Sequence, residues 1–221
     1  HQDPSIRVVI LRAHGASFCA GADLNWMQSM AAYSFEENVA DATRLAHMLN
    51  TINTCSKPVL GCVQGAAFGG GVGLTSVCDM VVALEDATFC LSEVKLGLLP
   101  AVISPFVLQK MPVSFARRYF LTAERFTAQQ ALHWGLVSAV VPTPQALQQT
   151  LDAWTKALMC NGPQAIAQCK QLIADVNDHS IEKALAFVPQ RIAQRRVSVE
   201  GQEGMTAFLQ KRPPIWPTCN V

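Results

Sequence analysis

The sequence predicts an α/β core with a parallel sheet, followed by a mainly helical C-terminal region. Its first half alternates short apolar runs, typical of buried strands, with one long segment of helical periodicity. Its second half carries helix-start patterns in close succession and one further apolar run. Because parallel strands need crossover connections, the alternation in the first half favours an α/β layer.

The first half supplies three predicted strands and one predicted long helix. The short apolar runs lie at residues 6–12, 59–63 and 80–84. Between the first two, apolar residues recur every three or four positions from Ser34 to Asn53, which indicates a helix. A glycine-rich turn at 65–73 separates the second and third strands, and we expect it to lead into a buried helix.

The second half is predicted to be helical apart from one strand. Thr127, with Gln130 three residues later, forms a capping-box pattern, and Gly135 is typical of the end of that helix. The apolar run 136–141 predicts a strand. Further helical patterns cover residues 143–159, 163–176, 180–197 and 200–211. We therefore divide the sequence into an α/β core, residues 1–142, and a helical region, residues 143–221.

Composition excludes several classes of protein. The chain has 221 residues, of which 50% are apolar and 15% charged, so it is not a disordered chain. A net charge of +1 provides no electrostatic footprint for nucleic acid, and no such partner is expected. The 8 Cys show no zinc-ligand spacing, so we expect no metal site and a reducing, cytoplasmic location.

Residues 58–78 carry no charge and are long enough to span a membrane. Six of them are glycine, and each glycine costs about 1 kcal/mol inside a helix. A continuous spanning helix is therefore disfavoured, and no membrane association is expected. The segment instead predicts a strand, a tight turn and the start of a buried helix, where small residues allow close approach to the backbone.

The glycine turn admits three interpretations. Gly69-Gly70-Gly71-Val72-Gly73 lacks the G-x-G-x-x-G spacing of a dinucleotide site, and no Lys follows it as in a phosphate loop. An oxyanion site fits, because backbone N–H groups at a helix N-terminus can face a developing negative charge. A turn required for packing alone stays equally open on the glycines themselves.

Two further segments favour the oxyanion interpretation. The small-residue turn from Ala20 to Asp23 follows a strand and can supply a second backbone N–H, which such a site requires. Asp23 is expected to cap or brace this turn. Glu93 lies between apolar residues, where burial would raise its pKa and suit it to acid/base chemistry. A surface Glu93 paired with Lys95 is the alternative.

Together these segments resemble the crotonase, or enoyl-CoA hydratase/isomerase, superfamily. The matching stretches are residues 18–24, 63–71, 78–79, 89–100, 121–137 and 203–212. They cover nearly the whole chain in the order and spacing of the family. The resemblance implies a spiral of ββα units with a C-terminal helical region used in trimerisation, and hence a homotrimer or a hexamer made of two trimers.

The resemblance also implies the site. The substrate would be an acyl-CoA thioester, with coenzyme A as part of the substrate and no separate cofactor. The N–H groups of Ala22 and Gly70 would form the oxyanion hole, and Glu93 would be the catalytic residue. The residues expected to contact CoA or the acyl group are Ala20, Asp23, Leu24 and Gly69.

Two departures from the family pattern affect the function. Hydratases with two catalytic carboxylates carry the first at the position of Gly73, so only Glu93 is left. Family members usually have two strands, a short helix and a CoA-contacting loop before residue 6, so the N-terminal part of the fold is expected to be missing.

The sequence around the glycine turn and Glu93 is most similar to that of a group of bacterial enzymes. These enzymes are assigned to 3-methylglutaconyl-CoA or γ-carboxygeranoyl-CoA hydration, in leucine and terpene breakdown. We therefore expect water addition to a 2-enoyl-CoA of this kind. Two alternatives stay open. One is a Δ3,Δ2-enoyl-CoA isomerase, for which the single Glu93 suffices. The other is a CoA-binding homologue without catalytic activity.

Overall fold

The computed structural model describes residue 3 and residues 5–216. The strands are β1 (Val9–Arg12), β2 (Val59–Val63), β3 (Ala66–Phe68), β4 (Met80–Leu84), β5 (Thr88–Cys90), β6 (Arg125–Thr127) and β7 (Ala139–Val141). The helices are α1 (Leu24–Met30), α2 (Phe35–Asn53), α3 (Gly70–Ser76), α4 (Ser104–Leu108), α5 (Val113–Thr122), α6 (Ala128–Trp134), α7 (Pro144–Met159), α8 (Pro163–Asn177), α9 (Ile181–Val197) and α10 (Val199–Leu209). A 3₁₀ helix covers Glu93–Leu96. No helix in this part of the chain has the length and apolar character needed to cross a membrane.

A four-stranded sheet has the order β1-β2-β4-β7. β2 and β4 pair in parallel with Leu60 opposite Met80, and β4 and β7 pair in parallel with Val82 opposite Ala139. All of β2 and the centre of β4 are buried, as expected for parallel strands covered on both faces. The predicted α/β class with a parallel sheet is confirmed.

A second sheet, with the order β3-β5-β6, was not predicted. β3 pairs in parallel with β5, and β5 pairs antiparallel with β6. Sequence reasoning assigned residues 65–73 to a turn, but 66–68 are extended because β5 and Cys19 pair with them. Such pairing comes from distant segments and overrides the weak strand preference of alanine.

Local patterns predicted several boundaries well. The strands 59–63 and 80–84 and the helix ending at Asn53 have the predicted limits or nearly so. The capping box is present at Thr127. Its side chain accepts from the Gln130 N–H, and the Gln130 side chain accepts from the Thr127 backbone N–H. The first strand is shorter than predicted and begins at Val9. The short helices α1, α4 and α5 have too few residues for a clear periodicity.

The chain divides into two compact units. One comprises the described residues up to Val9, Thr54–Pro58 and those from Ala153 onward, and the other comprises Ile10–Asn53 and Val59–Asp152. The second unit contains every residue predicted for the site. The sequence division at 142/143 stays a prediction, because a compact unit and an evolutionary domain are different quantities.

An aromatic cluster anchors β5 within the second unit. The Phe126 ring lies 5.4 Å from that of Phe89, 5.1 Å from that of Tyr119 and 5.1 Å from that of Trp134, between ring centroids. Phe89 and Phe126 are fully buried. Packed rings of this kind fix the strand that leads directly into Glu93.

Candidate functional site

The glycine turn connects β3 to α3. Gly69 stands immediately before α3 with a φ of 53°, a conformation that favours glycine. Its N–H donates to the Cys90 carbonyl at 2.8 Å, which ties the turn to β5. Gly70 is the first residue of α3, so its N–H has no acceptor within the helix, and none is found elsewhere among residues 5–216. The turn therefore presents an uncommitted donor at the positive end of a helix.

The segment before Ala22 lies against this turn. Cys19 donates to the Ala66 carbonyl at 2.9 Å and accepts from the Phe68 N–H at 2.8 Å. A Cβ on Gly71 would stand 2.9 Å from the Cys19 carbonyl oxygen, so the two backbones are in direct contact there. The turns that carry Ala22 and Gly70 therefore belong to neighbouring segments.

Asp23 holds the start of α1. Its Oδ1 accepts from the N–H groups of Asn25 and Trp26 at 2.9 and 3.0 Å, which is the bracing role that the sequence suggested. Ala20, Ala22 and Asp23 are exposed, and Leu24 keeps 75% of its surface exposed. A contact of these residues with substrate stays a prediction.

Glu93 lies directly beside the glycine turn. A Cβ on Gly69 would stand 3.2 Å from Glu93 Oε1. The other carboxylate oxygen, Oε2, is buried and has no hydrogen-bond partner in the described structure. Burial raises the pKa of Glu93, and a contact with its own backbone N–H opposes this only in part.

Glu93 does not form the ion pair with Lys95 that the sequence left open as an alternative. Among residues 5–216, the Glu93 carboxylate forms no ion pair, and Lys95 does not contribute to its pKa. A half-buried carboxyl without a counter-charge, held beside the turn with the uncommitted Gly70 N–H, is suited to proton transfer. The structure thus brings Glu93 close to the turn that contains Gly69 and Gly70, and the roles assigned to these residues stay predictions.

The space beside Gly73 is filled by apolar side chains. A Cβ on Gly73 would stand 2.3 Å from Ile103 Cγ2 and 3.7 Å from Leu49 Cδ1. A side chain at position 73 therefore has no room unless Ile103 moves. Sequence reasoning identified Gly73 as a departure but missed Ile103 and Leu49, because no local pattern links residues so far apart in the chain. It also passed over Ser92, which only its place next to Glu93 could have pointed out.

We place the candidate site in the second unit and not in a cavity of the first unit. That cavity, of about 770 Å³, lies among α8, α9 and α10. Its buried carboxylate, Glu200, accepts from the N–H groups of Gln164 and Ala165 and from Arg195 Nη2 at 2.7 to 3.0 Å. This carboxylate is already committed to holding helices together. Within the described residues, no cluster of His, Cys, Asp and Glu could hold a metal ion.

Comparisons with known proteins identify the family of this chain. The sequence profile of the enoyl-CoA hydratase/isomerase family matches residues 1–218. The crystal structure of an enoyl-CoA hydratase from Shewanella pealeana superposes with a TM-score of 0.93 at 45% identity, covering 97% of this chain and 80% of that one. The 2,3-dehydroadipyl-CoA hydratase of Escherichia coli is 34% identical over 213 residues, which are 96% of this chain and 81% of that protein.

A third relative, enoyl-CoA hydratase AKT6-1 of Alternaria alternata, is 38% identical over 172 residues. The match covers 76% of this chain but only 54% of that protein, so the chain spans about half the length of this relative. The family profile, the high structural similarity and the arrangement of the glycine turn and Glu93 all agree. The chain belongs to the enoyl-CoA hydratase/isomerase family and has the fold of the crotonase superfamily.

Proposed function

We propose that this chain adds water across the double bond of a 2-enoyl-CoA thioester. One observation carries the proposal: the half-buried carboxyl of Glu93, whose buried Oε2 has no hydrogen-bond partner among the described residues, lies against the turn whose Gly70 N–H has no acceptor there. A carboxyl that can exchange a proton and a backbone donor that can bind an anion therefore lie close together, which supports the proposal. These are the two functions that enolate chemistry at a thioester requires.

The thioester oxygen would accept hydrogen bonds from the N–H groups of Ala22 and Gly70. As water bonds to C3, negative charge moves onto this oxygen, and the two donors stabilise the enolate. Losing one such donor costs about 3–4 kcal/mol of transition-state stabilisation in comparable sites. Glu93 would take a proton from the water and deliver a proton to C2. The exposed turn with Ala20, Asp23 and Leu24, together with Gly69, would contact the CoA portion, which is part of the substrate and not a resident cofactor.

We propose 3-methylglutaconyl-CoA or a similar carboxylated enoyl-CoA as the acyl class. Two observations support a 2-enoyl thioester with a second carboxyl group. They are the sequence around Glu93 and the name of the E. coli relative, a 2,3-dehydroadipyl-CoA hydratase. The comparison is made by offering 3-methylglutaconyl-CoA and crotonyl-CoA side by side. A preference in kcat/KM for crotonyl-CoA would contradict the carboxylated class.

A second candidate is Δ3,Δ2-enoyl-CoA isomerisation. The observation that favours it is the contact of Ile103 with Gly73, which leaves Glu93 as the carboxylate beside the turn. Moving a proton between C2 and C4 needs one such group, whereas hydration also needs a positioned water. A 3-enoyl-CoA substrate distinguishes the two, because isomerisation creates the conjugated enoyl chromophore and hydration of a 2-enoyl-CoA removes it.

The decisive experiment compares Glu93→Gln with the parent chain on all three substrates. We expect Glu93→Gln to lose turnover by at least about a hundredfold, since general acid/base groups contribute that much. Glu85→Gln, at an exposed carboxylate, is the matched control and should retain full activity. Full turnover by Glu93→Gln would overturn the mechanism. Binding of acyl-CoA without turnover by the parent chain would support the non-catalytic alternative instead.

We further propose a homotrimer or a hexamer and a cytoplasmic location. Large apolar side chains on α9 and α10 are exposed in the single chain, among them Ile181, Val197, Val199, Phe208 and Leu209. Exposed apolar surface of this kind marks interaction sites. Light scattering should give three or six times the mass of one chain, and the mass of a monomer would contradict the assembly. Free thiols occur at Cys19, Cys55, Cys62, Cys90, Cys160 and Cys169, which supports a reducing compartment.

A further inference from the structure

Ser92 lies next to Glu93, and its hydroxyl faces the same glycine turn as the carboxyl. Measured from the place of a Cβ on Gly69, Ser92 Oγ is 3.9 Å away and Glu93 Oε1 is 3.2 Å away. Because both distances start from one point, the two oxygens are no more than 7.1 Å apart. One water molecule can join two oxygens that are up to about 5.6 Å apart at ordinary hydrogen-bond lengths. The range allowed for the two oxygens therefore includes separations that a single water can bridge.

The Ser92 hydroxyl does not make the hydrogen bond by which a serine usually caps a helix start. Ser92 is the residue that starts the 3₁₀ helix Glu93–Leu96, where a serine side chain ordinarily accepts a backbone N–H. Here it makes no such bond, and no partner for Oγ occurs in the described part of the chain. The Ser92 carbonyl instead accepts from the Lys95 N–H at 3.1 Å, so the helix start is held by the backbone. The hydroxyl is available for another role.

Hydration at this site needs a second polar group. Glu93 can accept a proton from water, but a water held by one hydrogen bond is free to rotate its lone pairs away from C3. The position of a second carboxylate, at Gly73, is closed by Ile103. Ser92 Oγ is the uncommitted side-chain oxygen that the structure places beside both Gly69 and Glu93.

We propose that Ser92 positions the attacking water for Glu93. The water donates one hydrogen bond to the Glu93 carboxylate and the other to Ser92 Oγ, which directs a lone pair at C3. One O–H bond of the water breaks and its proton passes to Glu93, while the oxygen bonds to C3. The π electrons of C2=C3 pass to the thioester as an enolate, and C2 then takes a proton from Glu93. Ser92 keeps its own proton throughout, and the inference rests on the proposed hydration.

The test separates water addition from proton abstraction. Two rates are measured for each variant: hydration of crotonyl-CoA, and exchange of the C2 protons of butyryl-CoA in deuterated water by NMR. Exchange needs Glu93 and the oxyanion donors but no attacking water. Ser92→Ala should lower kcat for hydration about tenfold, as expected for one lost hydrogen bond in the transition state. Its exchange rate should stay within about twofold of the parent.

Two controls complete the design. Ser92→Thr, which keeps a hydroxyl, should restore hydration. Ser104→Ala removes a hydroxyl that donates to the Ala101 carbonyl at 2.8 Å, and it should change neither rate.

The outcomes distinguish the two claims. If Ser92→Ala hydrates at the parent rate while Glu93→Gln is inactive, the proposed function stands and the role of Ser92 is wrong. Equal losses of hydration and exchange in Ser92→Ala also overturn it, because they indicate a structural role. If Glu93→Gln keeps both rates, the proposed function itself fails.

Discussion

Adding a methyl group at Gly73 should destabilise the protein through a specific contact with Ile103. The new Cβ would stand 2.3 Å from Ile103 Cγ2 and 2.9 Å from Ile103 Cβ, whereas carbon atoms in contact are about 3.5–4.0 Å apart. Gly73 is buried inside α3 and Ile103 is only 3% exposed, so neither can relax into solvent. The conformation of Gly73 is helical, and the loss would therefore come from packing.

The expected magnitude follows from two opposing effects. Alanine favours a helix interior over glycine by about 1 kcal/mol, and overpacking a core costs about 1–3 kcal/mol. Gly73→Ala should therefore lower the free energy of unfolding by about 1 kcal/mol. Ile103→Ala alone should lower it by about 3 kcal/mol through the cavity that it leaves. In the double variant the methyl at 73 enters that cavity, so the combined loss should fall short of the sum by about 2 kcal/mol.

The assay is urea unfolding followed by tryptophan fluorescence, arranged as a double-mutant cycle. Ile103→Val is the matched control, because valine keeps the Cγ2 methyl that Gly73→Ala would meet. The cycle with Val should therefore show little relief, and the cycle with Ala should show most of it. Additive losses in both cycles, or a Gly73→Ala variant more stable than the parent, would refute the packing argument.

Three further predictions concern carboxylates. Burial raises the pKa of Glu93 above 4.5, so the neutral carboxyl favoured by the folded state is lost as pH rises and the charged form destabilises the fold. Glu93→Gln should therefore unfold at a higher temperature than the parent near pH 8 and at the same temperature below pH 4. Glu200→Ala removes the ion-pair partner of the largely buried Arg195 and should lower the free energy of unfolding, measured in urea, by about 3 kcal/mol; a loss below 1 kcal/mol would contradict the role of Glu200 in holding the helices together. The Arg212 guanidinium lowers the pKa of Glu203 to about 2, so its contribution to stability is present above pH 4.5 and lost as pH falls towards 2; Arg212→Met should flatten the acid-induced decrease in Tm between these values.

The sequence predicted the elements whose cause is local. The strand 59–63 is a continuous apolar run, and the helix after Thr127 has its own capping residues, so neighbouring residues alone define them. The glycine turn stands out by its composition and Glu93 by its apolar neighbours, and both lie in segments that resemble a known family. The second sheet and the contact of Ile103 with Gly73 join distant parts of the chain, and pairwise packing of this kind leaves no periodicity to read.

The helix behind the proposed oxyanion turn has a composition that opposes its own formation. Gly70, Gly71 and Gly73 occupy three of the first four positions of α3, and each favours the helix by about 1 kcal/mol less than alanine would. Contacts with other segments offset this. The backbone of Cys19 lies against Gly71, and Ile103 lies against Gly73, in places where any side chain would separate them. The glycines are thus needed for close packing, and that packing fixes the direction of the Gly70 N–H.

Alanine substitutions at Gly70 and Gly71 should consequently have different effects. A Cβ on Gly70 meets nothing within 4 Å, so Gly70→Ala should keep its stability or gain up to about 1 kcal/mol, and it should raise KM by intruding on the space for substrate. A Cβ on Gly71 would stand 2.9 Å from both the carbonyl oxygen and the Cβ of Cys19, so Gly71→Ala should lose both stability and kcat. Thermal unfolding and steady-state hydration of crotonyl-CoA measure the two quantities. If both variants lose stability equally, the open space at Gly70 is not where the substrate binds, because the protein itself would then fill it.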